Sequence, residues 1–530
     1  MVRGRAMLGR VLYERASADV APAEAESLLM AAAEEFAAVA AVPDLDRDFR
    51  LDCAVRRART LTRLSHLRRD PAPLREALAA LEHTAGTDPV RPDDALPLSP
   101  ATSAALPLAL GRVLLALLDH TTDTQERLRL AERAVTELTT GLSLLQPPPT
   151  PPPDRPDDDG SGPDVRRGGG GGPGGGAGGG DVRPGADGTA VRPGGGGPGG
   201  GRPGGGAARA GERGPAGEGA AAVHGMVRRE RLAVARARLD LAGALRFLPG
   251  RLDEAPAQLA AALDEAATDP ELRLAGLVCL ARVHRARFVR DGDPAALEAA
   301  AEAYARARRL VPRDDAAYGD LLAEWGEVLL ERARAEEGRR FTSTAVRVLR
   351  ESRAAVPQSD PRSGPRLLRL AAGLRLRHTY EGDLVDLREA EYLLELAVRH
   401  SPDPLDRARA WRDHGDVQQE IHAHTYAHTH ALDRLDRAAD SYRRAWRAAL
   451  EPDDATSDPA ALRLAALAQQ LRGEVLERLS RPRAALDAYR TSLTLLTRLP
   501  APGTDIDTGT DGGAGPAVLR TRIRALEAVL

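Results

Sequence analysis

The chain has no lysine and no asparagine: all 74 basic residues are arginine, and isoleucine occurs only at Ile421, Ile506 and Ile523. Codons for these three residue types are AT-rich, so the bias points to a GC-rich genome, with an actinobacterium as the expected source. The missing letters also exclude chemistry. A phosphate-binding loop of the form GxxxxGK[ST] needs its lysine, the protein-kinase set needs lysine and asparagine, and Schiff-base catalysis needs lysine. Two cysteines, Cys53 and Cys279, cannot build a disulfide framework or a four-ligand zinc site. Both fall in helix-like stretches, where cysteine serves as a small buried hydrophobe. A net charge of -3 gives no overall pull toward nucleic acid. No apolar run approaches the roughly 18 residues of a membrane span. The N-terminal MVRGRAMLGRVLYER lacks the apolar core of a signal peptide. A soluble cytoplasmic protein is the expectation.

Aromatic residues make up only 3% of the chain, while the hydrophobic fraction is 42% and consists mostly of alanine, leucine and valine. Small and straight-chain residues favour helices, and the β-branched and aromatic residues that favour strands are scarce. An all-α fold follows.

Composition divides the chain. Residues 146–221 carry QPPPTPPPDRPDDDGSG followed by glycine-rich runs. Such a tract has almost nothing to bury against the entropy of ordering, so it is expected to be a disordered linker. The expected organisation is N-terminal helical hairpins over 1–145, the linker over 146–221, a repeat array over 222–499, a flexible loop over 500–515 and a closing helix over 516–530.

The second half repeats. Ala255, Ala300, Ala345 and Ala390 are spaced 45 residues apart. Four residues after each come Leu259, Tyr304, Leu349 and Leu394, and three further on Ala262, Ala307, Ser352 and Ala397. Pro312, Pro357 and Pro402 close the last three units. Ala438, Tyr442, Ala445 and Ala485, Tyr489, Ser492 continue the pattern. Small, large and small residues on one helix face let a neighbouring helix approach and then fill the gap. Proline ends the helix. Another amphipathic stretch precedes each unit, separated by RDGDP at 290–294, EEG at 336–338 or EGD at 381–383, where glycine supplies a turn and aspartate a cap. The unit is a helix–turn–helix hairpin, and stacked hairpins make an α-solenoid. In the first half, Ala77, Leu81 and Thr84, and Ala134, Leu138 and Gly141, repeat the offsets.

This second-helix pattern resembles that of the tetratricopeptide repeat (TPR), as do Gly243 and Gly473, each twelve residues before its alanine. The middle units depart from it, running near 45 residues rather than 34. In that longer form, seen in LRLRHTYEGDLVDLREAEYLLELAVRHSPDPLDRARAW, the array over residues 226–499 is similar to repeats associated with bacterial CHAT-type proteases. The resemblance carries over the array and no catalytic residue. It also implies that first helices line an inner groove, which would place Arg282, Arg285, Arg366 and Arg369 there. Forked guanidinium bonds suit acidic peptides; the competing reading is a charge-balanced surface in which these arginines pair with the abundant glutamate and aspartate. The carboxylate clamp of chaperone-binding TPRs uses lysine and asparagine, which this chain lacks, so that specificity is not implied.

Four histidines, His422, His424, His428 and His430, crowd nine residues. His424 and His428 share a helix face and form the metal-ligand candidate. No HExxH is present, His422 and His424 point apart, and the competing reading is exposed decoration at a turn. Asp413 and His414 resemble a dyad, read here as part of a solvated face. The expected function is a non-catalytic scaffold with a protein or peptide partner, no cofactor and no metal. The sensor part of a CHAT-protease system is the alternative, and a metal-dependent enzyme the third reading.

Overall fold

The computed structural model describes the chain apart from residues 1, 19, 43–44, 87–99, 122, 147–214, 337, 358–359, 361, 430–431, 452–457 and 500–514. Within helices, the side chains of 100–101, 215–224, 316 and 426–429 are also undescribed. The expected linker (for residues 147–214), the expected loop (for 500–514) and His430 therefore lie outside the described residues.

The fold is an all-α solenoid of stacked helix pairs, and no strand occurs among the described residues. Three pairs come first: α1 (Val2–Arg15) with α2 (Pro22–Ala40), α3 (Arg47–Arg68) with α4 (Ala72–Gly86), and α5 (Pro100–Leu118) with α6 (Thr124–Leu145). Then α7 (Pro215–Leu245) leads through a 3-10 turn, Pro249–Glu254, into α8 (Ala255–Glu265). Five pairs follow: α9 (Pro270–Asp291) with α10 (Pro294–Arg308), α11 (Ala316–Ala335) with α12 (Arg339–Ala354), α13 (Ser363–Glu381) with α14 (Leu384–His400), α15 (Pro404–Thr429) with α16 (Asp433–Ala449), and α17 (Pro459–Arg478) with α18 (Pro482–Thr497). A last helix, α19 (Pro516–Val529), packs on α18. Helix α7 begins at Pro215, inside the segment assigned to the linker, where the strong helix formers Ala220, Ala221 and Ala222 replace the glycine runs.

Local chemistry explains the boundaries. The side chains of Asp269, Asp293, Asp315, Asp383 and Asp458 each accept from a backbone N–H of the first turn of α9, α10, α11, α14 and α17, at 2.8–3.0 Å. Gly292 and Gly382 end α9 and α13 at φ 70° and 72°, a left-handed conformation that costs glycine nothing. The EEG break differs: Gly338 stays at φ -94°, and its N–H closes onto the carbonyl of Ala333 at 3.0 Å instead.

Packing follows the repeat. Ala255, Ala300, Ala345, Ala390, Ala438 and Ala485 are all 0% exposed, and the large residues four positions on are at most 1% exposed. Each such leucine or tyrosine contributes roughly 1.5–3 kcal/mol by leaving water. Glycines on the first helices receive three of them, Leu349, Tyr442 and Tyr489. A Cβ at Gly415 would lie 2.6 Å from the Tyr442 ring, one at Gly473 2.5 Å from that of Tyr489, and one at Gly326 would collide with Leu349. The pairs α11 with α12 and α15 with α16 thus keep the glycine contact at a different spacing. Gly243, which matches the TPR offset, leaves ordinary room: Leu115 is 3.4 Å from its added Cβ.

Met1–Gln146 and Arg229–Leu530 form one compact unit, and Pro147–Arg228 is set apart as a second. In the first unit, Leu114 of α5, Leu138 of α6 and Leu241 of α7 share one core, so the stack continues from α6 to α7. No described helix is long and apolar enough to cross a membrane.

Candidate functional site

First helices of successive pairs touch one another, as α3 does α5, α11 does α13, α13 does α15 and α15 does α17. Their charges alternate in sign. Arg282 of α9 grips Glu324 of α11 with Nε and Nη2 at 2.8 and 2.6 Å. Arg285 donates to Glu327 at 3.1 Å and forks onto Glu331. On the other side of α11, Arg369 of α13 donates to the same Glu327. Arg375 then donates to Glu420 of α15 at 2.6 Å and to Asp416 at 3.3 Å. Tyr304 Oη donates to Glu324 and Tyr442 Oη to Asp416, at 2.7 and 2.6 Å. Burial works against ionisation of Glu324, yet the Arg282 and Tyr304 hydrogen bonds hold its carboxyl below the usual range. This is a ladder of half-buried, charge-assisted bonds joining one repeat to the next.

The ladder matches the competing sequence reading, in which these arginines pair with carboxylates of the chain itself. Arg282, Arg285 and Arg369 do line a cavity of about 820 Å³, but each already holds a carboxylate there. Arg366 leaves the groove set: it is 2% exposed, pairs with Asp320 and does not line that cavity. Its position on α13 turns it between α11 and α12, where Gly319 makes room for its guanidinium.

The available charge in the cavity comes from residues that periodicity did not single out. Arg127 at the start of α6 and Arg246 just after α7 lie 5.2 and 4.4 Å from the ring centroid of Phe247. The Nε of each is buried without a hydrogen-bond partner. Among the described residues Arg127 pairs with no carboxylate, and Arg246 pairs with the exposed Asp119 at 3.6 Å and is drawn as well to Glu324, which Arg282 already holds. Burial, and then the neighbouring Arg282, push the Arg246 guanidinium below its usual range. Leu118, Leu252 and Val289 supply apolar wall. The arrangement offers forked donors stacked on an aromatic ring beside apolar surface, which suits an anionic group attached to an apolar body.

The histidines divide. His424 is exposed and meets the His378 ring edge-on at 5.5 Å, while His378 Nδ1 sits 2.9 Å from the Asp383 carbonyl. His422 is buried at 4% exposure, not turn decoration, because it falls on the packed face of α15. The His428 side chain lies outside the described residues. Among the described residues no three histidine, cysteine or carboxylate groups gather as metal ligands do.

His414 also departs from the expected solvated face; it is 7% exposed. Ser441 Oγ donates to the Arg437 carbonyl at 2.8 Å, so His414 Nδ1–H donates to Ser441 at 2.9 Å and Nε2 keeps its lone pair toward the Gln418 amide at 3.4 Å. Burial lowers its pKa against the pull of Glu391 and Glu395, with Arg444 and Arg434 adding to the lowering. A folded-state pKa below the unfolded one makes stability complete above about pH 6.5 and lost as pH falls toward the folded value. Urea midpoints should therefore fall below pH 6.5, with this residue contributing at most about 1.4 kcal/mol per pH unit. His414→Gln should flatten that slope; an unchanged slope would place the titration elsewhere.

No family model matches the sequence, and no curated protein matches it. Among solved structures, BtubC (BKLC) from P. vanneervenii is similar at 15% identity and a TM-score of 0.25, covering 55% of this chain and 92% of its own. A circular tandem repeat protein with novel repeat topology and enhanced subunit contact surfaces is similar at 14% identity and a TM-score of 0.22, covering 100% of this chain and 96% of its own. At those TM-scores neither likeness assigns anything to this chain.

Proposed function

We propose that this chain is a non-catalytic, cytoplasmic interaction scaffold, a TPR-like array of the long-repeat type, that binds an acidic peptide segment of a partner protein. The observation that carries the reading is the pair Arg127 and Arg246 on Phe247, open donors at the wall of an 820 Å³ cavity in an otherwise charge-compensated groove. Apolar wall from Leu118, Leu252 and Val289 would take side chains flanking the acidic residue.

The test is selection of binders from a random peptide display library against the full chain, then titration of the winning peptides. Acidic sequences with an adjacent apolar residue are expected. Arg127→Gln and Arg246→Gln should each weaken binding roughly tenfold, the worth of one charge-assisted bond. Affinity should fall with ionic strength, since exposed charges act over only about 8–10 Å near physiological salt. Peptides without acidic residues, or peptides indifferent to both variants, would refute the reading. Charge reversal at Arg285 or Arg369 is a poor probe, because each also anchors Glu327 in the ladder.

A further inference from the structure

At α3, α5 and α7 the ladder keeps one rung and gathers extra arginines. Arg59, Arg112, Arg229 and Arg236 from these helices line a cavity of about 390 Å³. Arg112 is paired, to Asp240 at 2.5 Å. Arg59, Arg229 and Arg236 make no side-chain hydrogen bond or ion pair with any described residue. Two carboxylates also line the cavity: Asp269 already accepts the Leu272 amide at 3.0 Å, and Glu271 is exposed. Arg59, Arg229 and Arg236 are exposed; desolvation by the surrounding helices, and after it the like charges of Arg112, Arg236 and Arg56, push the Arg59 guanidinium below its usual range. For Arg282, Arg285, Arg369 and Arg375 the chain supplies a carboxylate; here Arg59, Arg229 and Arg236 are left open. The remaining wall is apolar, with Leu108, Leu145, Leu232 and Leu272.

We propose that this cavity is a second binding site, for the phosphate group of a small phosphate monoester, with Arg59, Arg112 and Arg236 as its donors and the leucine wall as the seat of the organic part. A carboxylate has two oxygens and one charge; a phosphate monoester has three terminal oxygens and nearly two charges. The free forks of Arg59 and Arg236, with the Nη groups that the Asp240 bond leaves open on Arg112, come from three helices and match the second. A volume of 390 Å³ is that of a small-ligand site.

The experiment is calorimetry and thermal melting of the full chain with inorganic phosphate, phosphoserine, glycerol phosphate and glutarate, against sodium chloride at matched ionic strength. The three phosphates should raise the melting midpoint beyond the salt control, and glutarate should not. Arg59→Gln and Arg236→Gln should each weaken phosphate binding roughly tenfold. Each should also raise the ligand-free midpoint, because a like charge has gone; a merely structural arginine would lower it. Arg246→Gln, in the other cavity, should leave the phosphate response intact, so this site and the peptide groove can fail separately. Binding of phosphoserine but not glycerol phosphate would support the site and assign its organic part an amino-acid rather than a polyol skeleton. No shift beyond salt, an equal shift with glutarate, or unaltered binding by both variants would overturn it.

Discussion

Ala345→Glu is expected to cost about 3–5 kcal/mol and to split the unfolding transition of the array. Ala345 is 0% exposed and faces a core built from Val328 and Leu329 of α11 and Leu370 and Leu374 of α13. A glutamate there either ionises without a partner or forces its extra atoms between close-packed helices. In a solenoid each repeat is stabilised mainly by its neighbours, so a broken α12 uncouples the pairs before it from those after it. Urea unfolding followed by far-ultraviolet circular dichroism should show an earlier and broader transition. Arg347→Glu, exposed on the same helix, is the matched control and should stay within about 0.5 kcal/mol of the parent. If both variants unfold with the parent, the small–large–small register does not mark the packed face.

That register was legible from sequence because it is local. Alanine, leucine or tyrosine, and alanine or serine recur within one helix, and proline, glycine and aspartate mark its ends at fixed distances. The groove was only partly legible because its partners are not local. Arg282 meets Glu324, Arg285 meets Glu327, and Glu327 meets Arg369, each 42 residues apart, nearly one repeat. The repeat spacing itself could have revealed these pairs, since opposite charges recur at almost the period of the alanines. Arg127, Arg246 and Phe247 carry no such signal. They sit at a helix start and in the turn after α7, outside any periodic face, and only the fold brings them together. The buried His414 and His422 were missed for a related reason. Their helix is packed by α14 on one side and α16 on another, which leaves too narrow a solvated stripe for a polar residue to signal exposure.

Arg366 turns this lesson into the second large effect, an asymmetry between the two halves of one ion pair. Its guanidinium is 2% exposed, with Nη2 on Asp320, Nη1 on the Ser352 carbonyl at 3.3 Å and Nε without a partner. Asp320 is 45% exposed and also accepts from Arg362 at 2.7 Å. Asp320→Ala therefore strands a buried cation on one long hydrogen bond. About 3 kcal/mol should be lost, the lower part of the range for a broken buried pair, because water can enter where Asp320 stood. Arg366→Met instead removes the buried charge, fills most of its slot, and leaves Asp320 with Arg362 and solvent. About 1 kcal/mol or less should be lost. The double variant should recover most of what Asp320→Ala costs, so the two changes couple with a sign opposite to simple addition. Urea midpoints of the parent, both single variants and the double variant measure this directly. Equal losses in the single variants, adding in the double, would mean that Arg366 is solvated and free of Asp320. Recovery in the double variant would make it a repeat-joining residue of the first-helix ladder.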